Sequence, residues 1–153
     1  FPDARLDIAG RVQMEGPARE VERLGLGSSV HFLGEVPVEQ VSGLVSRAHV
    51  FAILHQCRYA GLSFTAIEAM EFGTPVVINA PPGLYGPGLL VDGRDIALVD
   101  GSRPEAIAAK ITALLADADL RERVGGNGKR FVAEHLDWDL NAERTEALYR
   151  EIA

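Results

Sequence analysis

A single cysteine, Cys57, stands among the 153 residues. No internal disulfide framework is therefore available, and a reducing compartment is compatible with the chain. No apolar run approaches the ~18 residues needed to span a bilayer. The opening Phe1-Pro2-Asp3-Ala4-Arg5 lacks the basic start and long apolar stretch of a signal peptide. These absences point to a cytoplasmic chain with no transmembrane segment. Positive charge is scarce as well. The net charge is −7, and no basic stripe offsets phosphate repulsion, which argues against a nucleic-acid partner. Only Lys110 and Lys129 are lysines; the other cations are arginines, a compositional bias that carries no functional weight.

Several chemistries are missing too. No Cys/His set has zinc-ligand spacing, no G-x-S-x-G elbow is present, and there is no Walker A sequence. The G-x-G-x-x-G of dinucleotide sites is absent, and Gly10-Arg11-Val12 does not substitute for it.

What remains is a balanced globular composition, 47% hydrophobic and 24% charged, at a length that fits one ordinary domain with a real core. Short aliphatic runs alternate with amphipathic helical stretches. Strands are expected at Arg5–Ala9, Val30–Leu33, Val50–Leu54 and Val76–Ile78. The nearly continuous apolar run His49–Leu54 suits a central parallel strand covered on both faces. Helices are expected over Pro17–Leu24, Val38–Arg47, Ser63–Phe72, Pro104–Ala116, Ala118–His135 and Asp139–Ile152. Gly125-Gly126-Asn127-Gly128 should weaken, kink or shorten the fifth of these. The Pro/Gly-dense stretch from Ala80 to Gly88 must be a loop, and short apolar runs at Leu89–Val91 and Ala97–Val99 flank the turn Asp92-Gly93. Strand–helix alternation of this kind implies βαβ units and an α/β, Rossmann-like, doubly wound parallel sheet with a helical C-terminus. Ligands of such sheets sit beyond the carboxyl ends of the strands. That singles out the loops Gly10–Gly16, Gly34–Pro37, His55–Gly61 and Asn79–Gly88.

The stretch Arg58–Val77, RYAGLSFTAIEAMEFGTPVV, resembles the donor-binding signature of the group 1 retaining glycosyltransferases of GT-B fold. Glu68-Ala69-Met70 and Gly73-Thr74-Pro75-Val76-Val77 match that signature well. The resemblance runs along the whole chain. Arg5–Gly10 looks like the family's strand ending in glycine, and Val30–Val36 like its V-x-F-x-G-x-V segment. Ser46–Ile53 looks like a further family strand, and Leu90–Gly93 and Trp138 fall where the family has counterparts. Order and spacing together make the match specific. Departures stand out: the first glutamate of the signature falls on Ala60, the Pro-Ser that usually ends the preceding strand is Leu54-His55, and the Phe-Gly after the glycine is Leu62-Ser63.

The resemblance implies a C-terminal, nucleotide-sugar-binding domain over residues 1–153, lacking its first strand and the acceptor-binding N-terminal domain. The implied activity is retaining, metal-independent glycosyl transfer from a nucleotide-diphosphate sugar. The alternative is a non-catalytic, glycosyltransferase-like domain that binds a nucleotide or serves as a scaffold, which Ala60 favours. No cofactor and no metal are expected. The partners are the donor, an acceptor the sequence does not identify, and the N-terminal domain of the same polypeptide.

Candidate site residues follow. Gly61-Leu62-Ser63 opens a helix and offers backbone N–H groups and the positive end of a helix dipole to the diphosphate; a plain turn before a helix would look the same. Glu68 is the resemblance's ligand for the ribose diol, which a carboxylate can grip through two hydrogen bonds; solvated helix glutamates are commoner. Glu71 is left to that bland role. Gly34 and Val36 lie where the family holds the base through backbone groups. His55 could meet a sugar hydroxyl and Arg58 could balance diphosphate charge, although ordinary surface or core-edge roles are more frequent for both. Arg11 follows the first visible strand and is read as an exposed arginine. No residue of the chain is assigned as catalytic.

Overall fold

The computed structural model describes residues 1, 3–11, 15–55, 61–81, 83 and 86–152. The chain forms two compact units, Phe1–Val41 and Ser42–Ala153.

In the first unit, β1 (Leu6–Ala9) and β2 (Val30–Gly34) pair in parallel around α1 (Gly16–Arg23). Leu6 faces Val30 and Ile8 faces Phe32, with a register irregularity between Ile8 and Ala9. Pro17 sits in the first turn of α1, where its missing N–H costs nothing. Both strands end on glycines in the left-handed region, Gly10 at φ 123° and Gly34 at φ 67°, a conformation that side chains disfavour. The N–H of Gly10 donates to the Gly34 carbonyl at 2.7 Å, closing the carboxyl end of the pair.

The second unit is built on β3 (Phe51–Ile53), β4 (Val76–Ile78) and β5 (Ala97–Leu98), all parallel and in the order β3-β4-β5. α2 (Val38–Arg47) leads towards β3, and α3 (Phe64–Glu71) crosses from β3 to β4. β4 is buried throughout, while Ala52 of β3 is exposed. This corrects the expectation that the His49–Leu54 run supplies the doubly covered strand. β4 has a pairing partner on each side, whereas β3 borders this sheet on one. The fully buried side chains Met70, Val76, Val77, Ile78, Ile96 and Val124 form the core. Thr74, also buried, donates its hydroxyl proton to the Val45 carbonyl at 3.0 Å.

Three further helices complete this unit: α4 (Pro104–Ala116), α5 (Ala118–His135) and α6 (Trp138–Ile152). Asp117 accepts from the Leu120 N–H at the start of α5, and Asp137 from the Leu140 N–H at the start of α6. Arg121 donates to the carbonyls of Leu114 and Leu115, satisfying the end of α4. The GGNG segment neither kinks nor ends α5, which runs unbroken through it. α5 packs on α3, and a Cβ at position 125 would lie 1.9 Å from the Gly73 carbonyl oxygen. The glycines there permit close approach; their low helix propensity is outweighed by packing. Of the two apolar runs beside Asp92-Gly93, Ala97–Leu98 forms β5, while Leu89 lies in a turn and Leu90 in a bend. Among the described residues, no helix is long and apolar enough to cross a membrane.

Candidate functional site

The carboxyl edge of β3-β4-β5 collects most of the predicted residues. Each βα crossover returns the chain to this edge, so His55, the start of α3, Asn79 and the Asp100–Ser102 turn all lie there. α3 begins at Ser63, whose extended backbone (φ −71°, ψ 157°) marks an N-cap. Its hydroxyl accepts from the Ala66 N–H at 3.2 Å, and its carbonyl accepts from the Ile67 N–H at 3.0 Å. The N–H groups of Phe64 and Thr65 are left without an acceptor among the described residues. An anion placed against Ser63 would meet both, together with the positive end of the helix dipole. Gly61 and Leu62 precede this cap, as the sequence predicts.

Glu68 lies one turn further on, exposed, on the same face as the exposed Phe64 and Glu71. The opposite face buries Ala66, Ala69 and Met70, so Glu68 is free of any packing duty.

His55 lies two residues after β3. Its backbone is gripped by a side chain that the sequence reading gave no role: Asn79 accepts from the His55 N–H at 2.6 Å and donates to the His55 carbonyl at 2.7 Å. The imidazole Nε2 of His55 is buried and has no hydrogen-bond partner among the described residues. A buried polar atom of this kind carries a desolvation cost that a ligand could relieve. The only sequence signal for Asn79 was its position, an amide directly after the Val-Val-Ile strand. Arg58 and Ala60 lie outside the described residues.

Beyond Asn79 the chain turns at Gly83 and Gly86 and is then locked by the buried Asp95. Its carboxylate accepts from the Val91 N–H at 2.9 Å and from the Arg94 guanidinium at 2.7 Å. Arg94 also donates to the carbonyls of Leu89 and Gly88. The Asp95 carboxylate hydrogen-bonded to it raises the Arg94 pKa, so the guanidinium stays charged. Asp92 accepts from Lys110 and from the Leu98 N–H, fixing the Asp92-Gly93 turn against β5.

In the first unit, Gly34 and Val36 are half-buried at the carboxyl end of β2. Arg11, after β1, is exposed as expected. It donates through Nε and Nη2 to one oxygen of Glu35, at 3.0 and 2.6 Å. Exposed pairs of this type contribute little to stability.

Comparison with known proteins agrees with this picture. The sequence is 30% identical over 153 residues to the MMP alpha-(1->4)-mannosyltransferase of Mycolicibacterium hassiacum, covering 97% of this chain and 36% of that protein. The chain thus spans about a third of that relative's length. The fold resembles sucrose-phosphate synthase from Thermosynechococcus elongatus, with a TM-score of 0.77 at 28% identity, over 99% of this chain and 39% of that one. It also resembles Anabaena HepE in complex with UDP-glucose, with a TM-score of 0.81 at 20% identity, over 98% of this chain and 42% of that one. The family model described as glycosyl transferases group 1 matches residues 1–131. On that match and the identity to the mannosyltransferase, the chain belongs to the group 1 glycosyltransferase family.

Proposed function

We propose that this chain is the donor-binding C-terminal domain of a cytoplasmic glycosyltransferase. As part of a longer polypeptide, it would bind a nucleotide-diphosphate sugar and support retaining, metal-independent transfer. The observation that carries the reading is the start of α3, where two backbone N–H groups have no acceptor among the described residues, at the carboxyl edge of a parallel sheet. Departure of the sugar leaves negative charge on the diphosphate. Fixed N–H donors and a helix dipole stabilise that charge with no reorganisation at the moment of bond cleavage. Glu68, unburdened by packing, would grip the ribose diol. Gly34 and Val36 would hold the base through backbone groups, and His55 and Arg58 would face the sugar and the diphosphate. A mannosyltransferase among the relatives and UDP-glucose in a structure of the same fold support a donor of this class. The acceptor would be bound by the N-terminal domain, with the two halves closing over the donor.

Turnover of nucleotide sugars by the full-length protein tests the reading. Release of nucleoside diphosphate should persist in EDTA, and the product should keep the donor's anomeric configuration. Ala60 in the place of the signature's first glutamate favours a second reading, a binding domain without turnover. Tight nucleotide-sugar binding by the full-length protein with no transfer to any acceptor would establish that one instead.

A further inference from the structure

We propose that Asn79 is a positioning residue that holds His55 so that its Nε2 receives a hydroxyl of the donor sugar. This rests on the reading of the sheet's carboxyl edge as a nucleotide-sugar site.

Three observations converge on the pair. First, the Asn79 amide bonds both the N–H and the carbonyl of His55, at 2.6 and 2.7 Å. An amide that accepts at one atom and donates at the other matches a single residue's backbone in one orientation only. It therefore fixes the peptide on each side of the His55 Cα, and with it the direction in which the imidazole leaves the chain. Second, Asn79 is itself confined. A Cβ at Gly101 would lie 2.6 Å from its Nδ2 and 3.0 Å from its Cβ and Cγ, so the turn after β5 closes on the amide and a side chain there would push it out of place. The ends of β3, β4 and β5 thus converge on one side chain. Third, Nε2 of His55 is buried with no partner among the described residues. If the Asn79 clamp served only to tie strand ends together, nothing would require an unsatisfied imidazole nitrogen beside it.

The chemistry of the missing partner follows from the ring. A neutral imidazole presents either an N–H or a lone pair at Nε2. A sugar hydroxyl, both donor and acceptor, satisfies either form. A phosphate oxygen only accepts, and the free N–H groups of Phe64 and Thr65 already provide for an anion.

The test uses the full-length protein and calorimetric titration with UDP-glucose and GDP-mannose, each beside its free nucleoside diphosphate. Failure of the wild type to bind any of the four would overturn the nucleotide-sugar reading and this inference with it. Where the wild type binds, His55→Ala should weaken the nucleotide sugar about three- to tenfold, the worth of one hydrogen bond between neutral groups. The free diphosphate should be unaffected, and in turnover the loss should appear in donor KM. His55→Gln, whose amide can reach the same hydroxyl, should recover most of it. Asn79→Ala should reproduce the sugar-specific loss. So should Asn79→Asp, which keeps the size and the acceptor but sets an oxygen against the His55 carbonyl. Adding Asn79→Ala to His55→Ala should cost nothing further. Thermal melts identify any variant that fails to fold, and Asn79→Asp then stands in for Asn79→Ala. Folded Asn79 variants that bind the nucleotide sugar like wild type would overturn the assignment. So would a loss shared equally by the free diphosphate, or full additivity with His55→Ala.

Discussion

Glu68 carries the sharpest consequence at the scale of single residues. It is exposed on α3 and makes no ion pair among the described residues, so its removal isolates binding from folding. Glu68→Ala in the full-length protein should weaken nucleoside-diphosphate affinity by roughly 1.5–3 kcal/mol, the range for hydrogen bonds to charged groups. Stability should hardly move, because alanine is the best helix former. Glu71→Ala, on the same exposed face and outside the family's motif, is the control. Equal, undiminished binding by both variants would return Glu68 to a solvated helix position. Asp100 offers a test at the same scale on the same edge of the sheet. The Ser102 hydroxyl at 2.7 Å and its backbone N–H at 3.0 Å hold the Asp100 carboxyl below the usual aspartate range. A depressed carboxyl of this kind contributes stability above the ordinary aspartate pKa, and that contribution is lost as pH falls through the lowered value. Carbon-detected NMR titration should show Asp100 titrating low. Ser102→Ala should move it back towards the ordinary value, since the hydroxyl is the largest cause and only the backbone bond and the Arg103 charge would still hold it down. An unmoved midpoint would show that the hydroxyl is not the cause.

Among the elements, α5 separates two kinds of glycine that look alike in sequence. A Cβ at Gly125 would meet the Gly73 carbonyl oxygen at 1.9 Å, while a Cβ at Gly126 would meet nothing within 4 Å. Gly126→Ala should therefore stabilise the protein by about 0.5–1 kcal/mol through helix propensity alone. Gly125→Ala should destabilise it by roughly 1–3 kcal/mol or more, because backbone must move to admit the methyl. Urea melts of both variants check the pair, and shifts of the same sign would refute the close-approach account. The sequence could not separate these neighbours, because propensity assigns every helical glycine the same cost and contact is a tertiary fact. Much else was legible. The aliphatic runs marked β1 to β4 to within a residue or two, and α4 and α5 have the expected bounds. Which strand is buried on both faces was not legible, because Val50–Leu54 and Val76–Ile78 are both continuous apolar runs, while only β4 is buried throughout. Position placed His55 and the start of α3 at the sheet's edge, since the alternation of elements fixes where loops emerge. The Asn79 clamp escaped notice because its bonds span 24 residues and go to backbone, for which no side-chain pattern exists.

At the scale of the whole molecule, burial is divided unevenly. Every buried residue among those described lies in Ser42–Ala153, where β4 is sandwiched between two strands and α3, α4 and α5 supply the apolar cover. In Phe1–Val41, β1 is mostly exposed and β2 only half-buried. A segment of that length has too little interior to bury a core of its own. Native-state amide exchange reads this difference directly, because local opening is easiest where few apolar contacts oppose it. The backbone N–H groups of β4 and the middle of α5 should exchange slowest, at rates set by global unfolding. Those of β1 and β2 should exchange faster, through openings that leave β4 closed, and their protection should respond weakly to denaturant. A core substitution such as Val77→Ala should cost a few kcal/mol by cavity formation. It should speed exchange in β4 and α5 together, while the faster openings of β1 and β2 should keep their rates. Equal protection of β1 and β4, falling in step with denaturant, would mean that the chain opens only as a whole. The division into two compact units would then describe geometry without any consequence for stability.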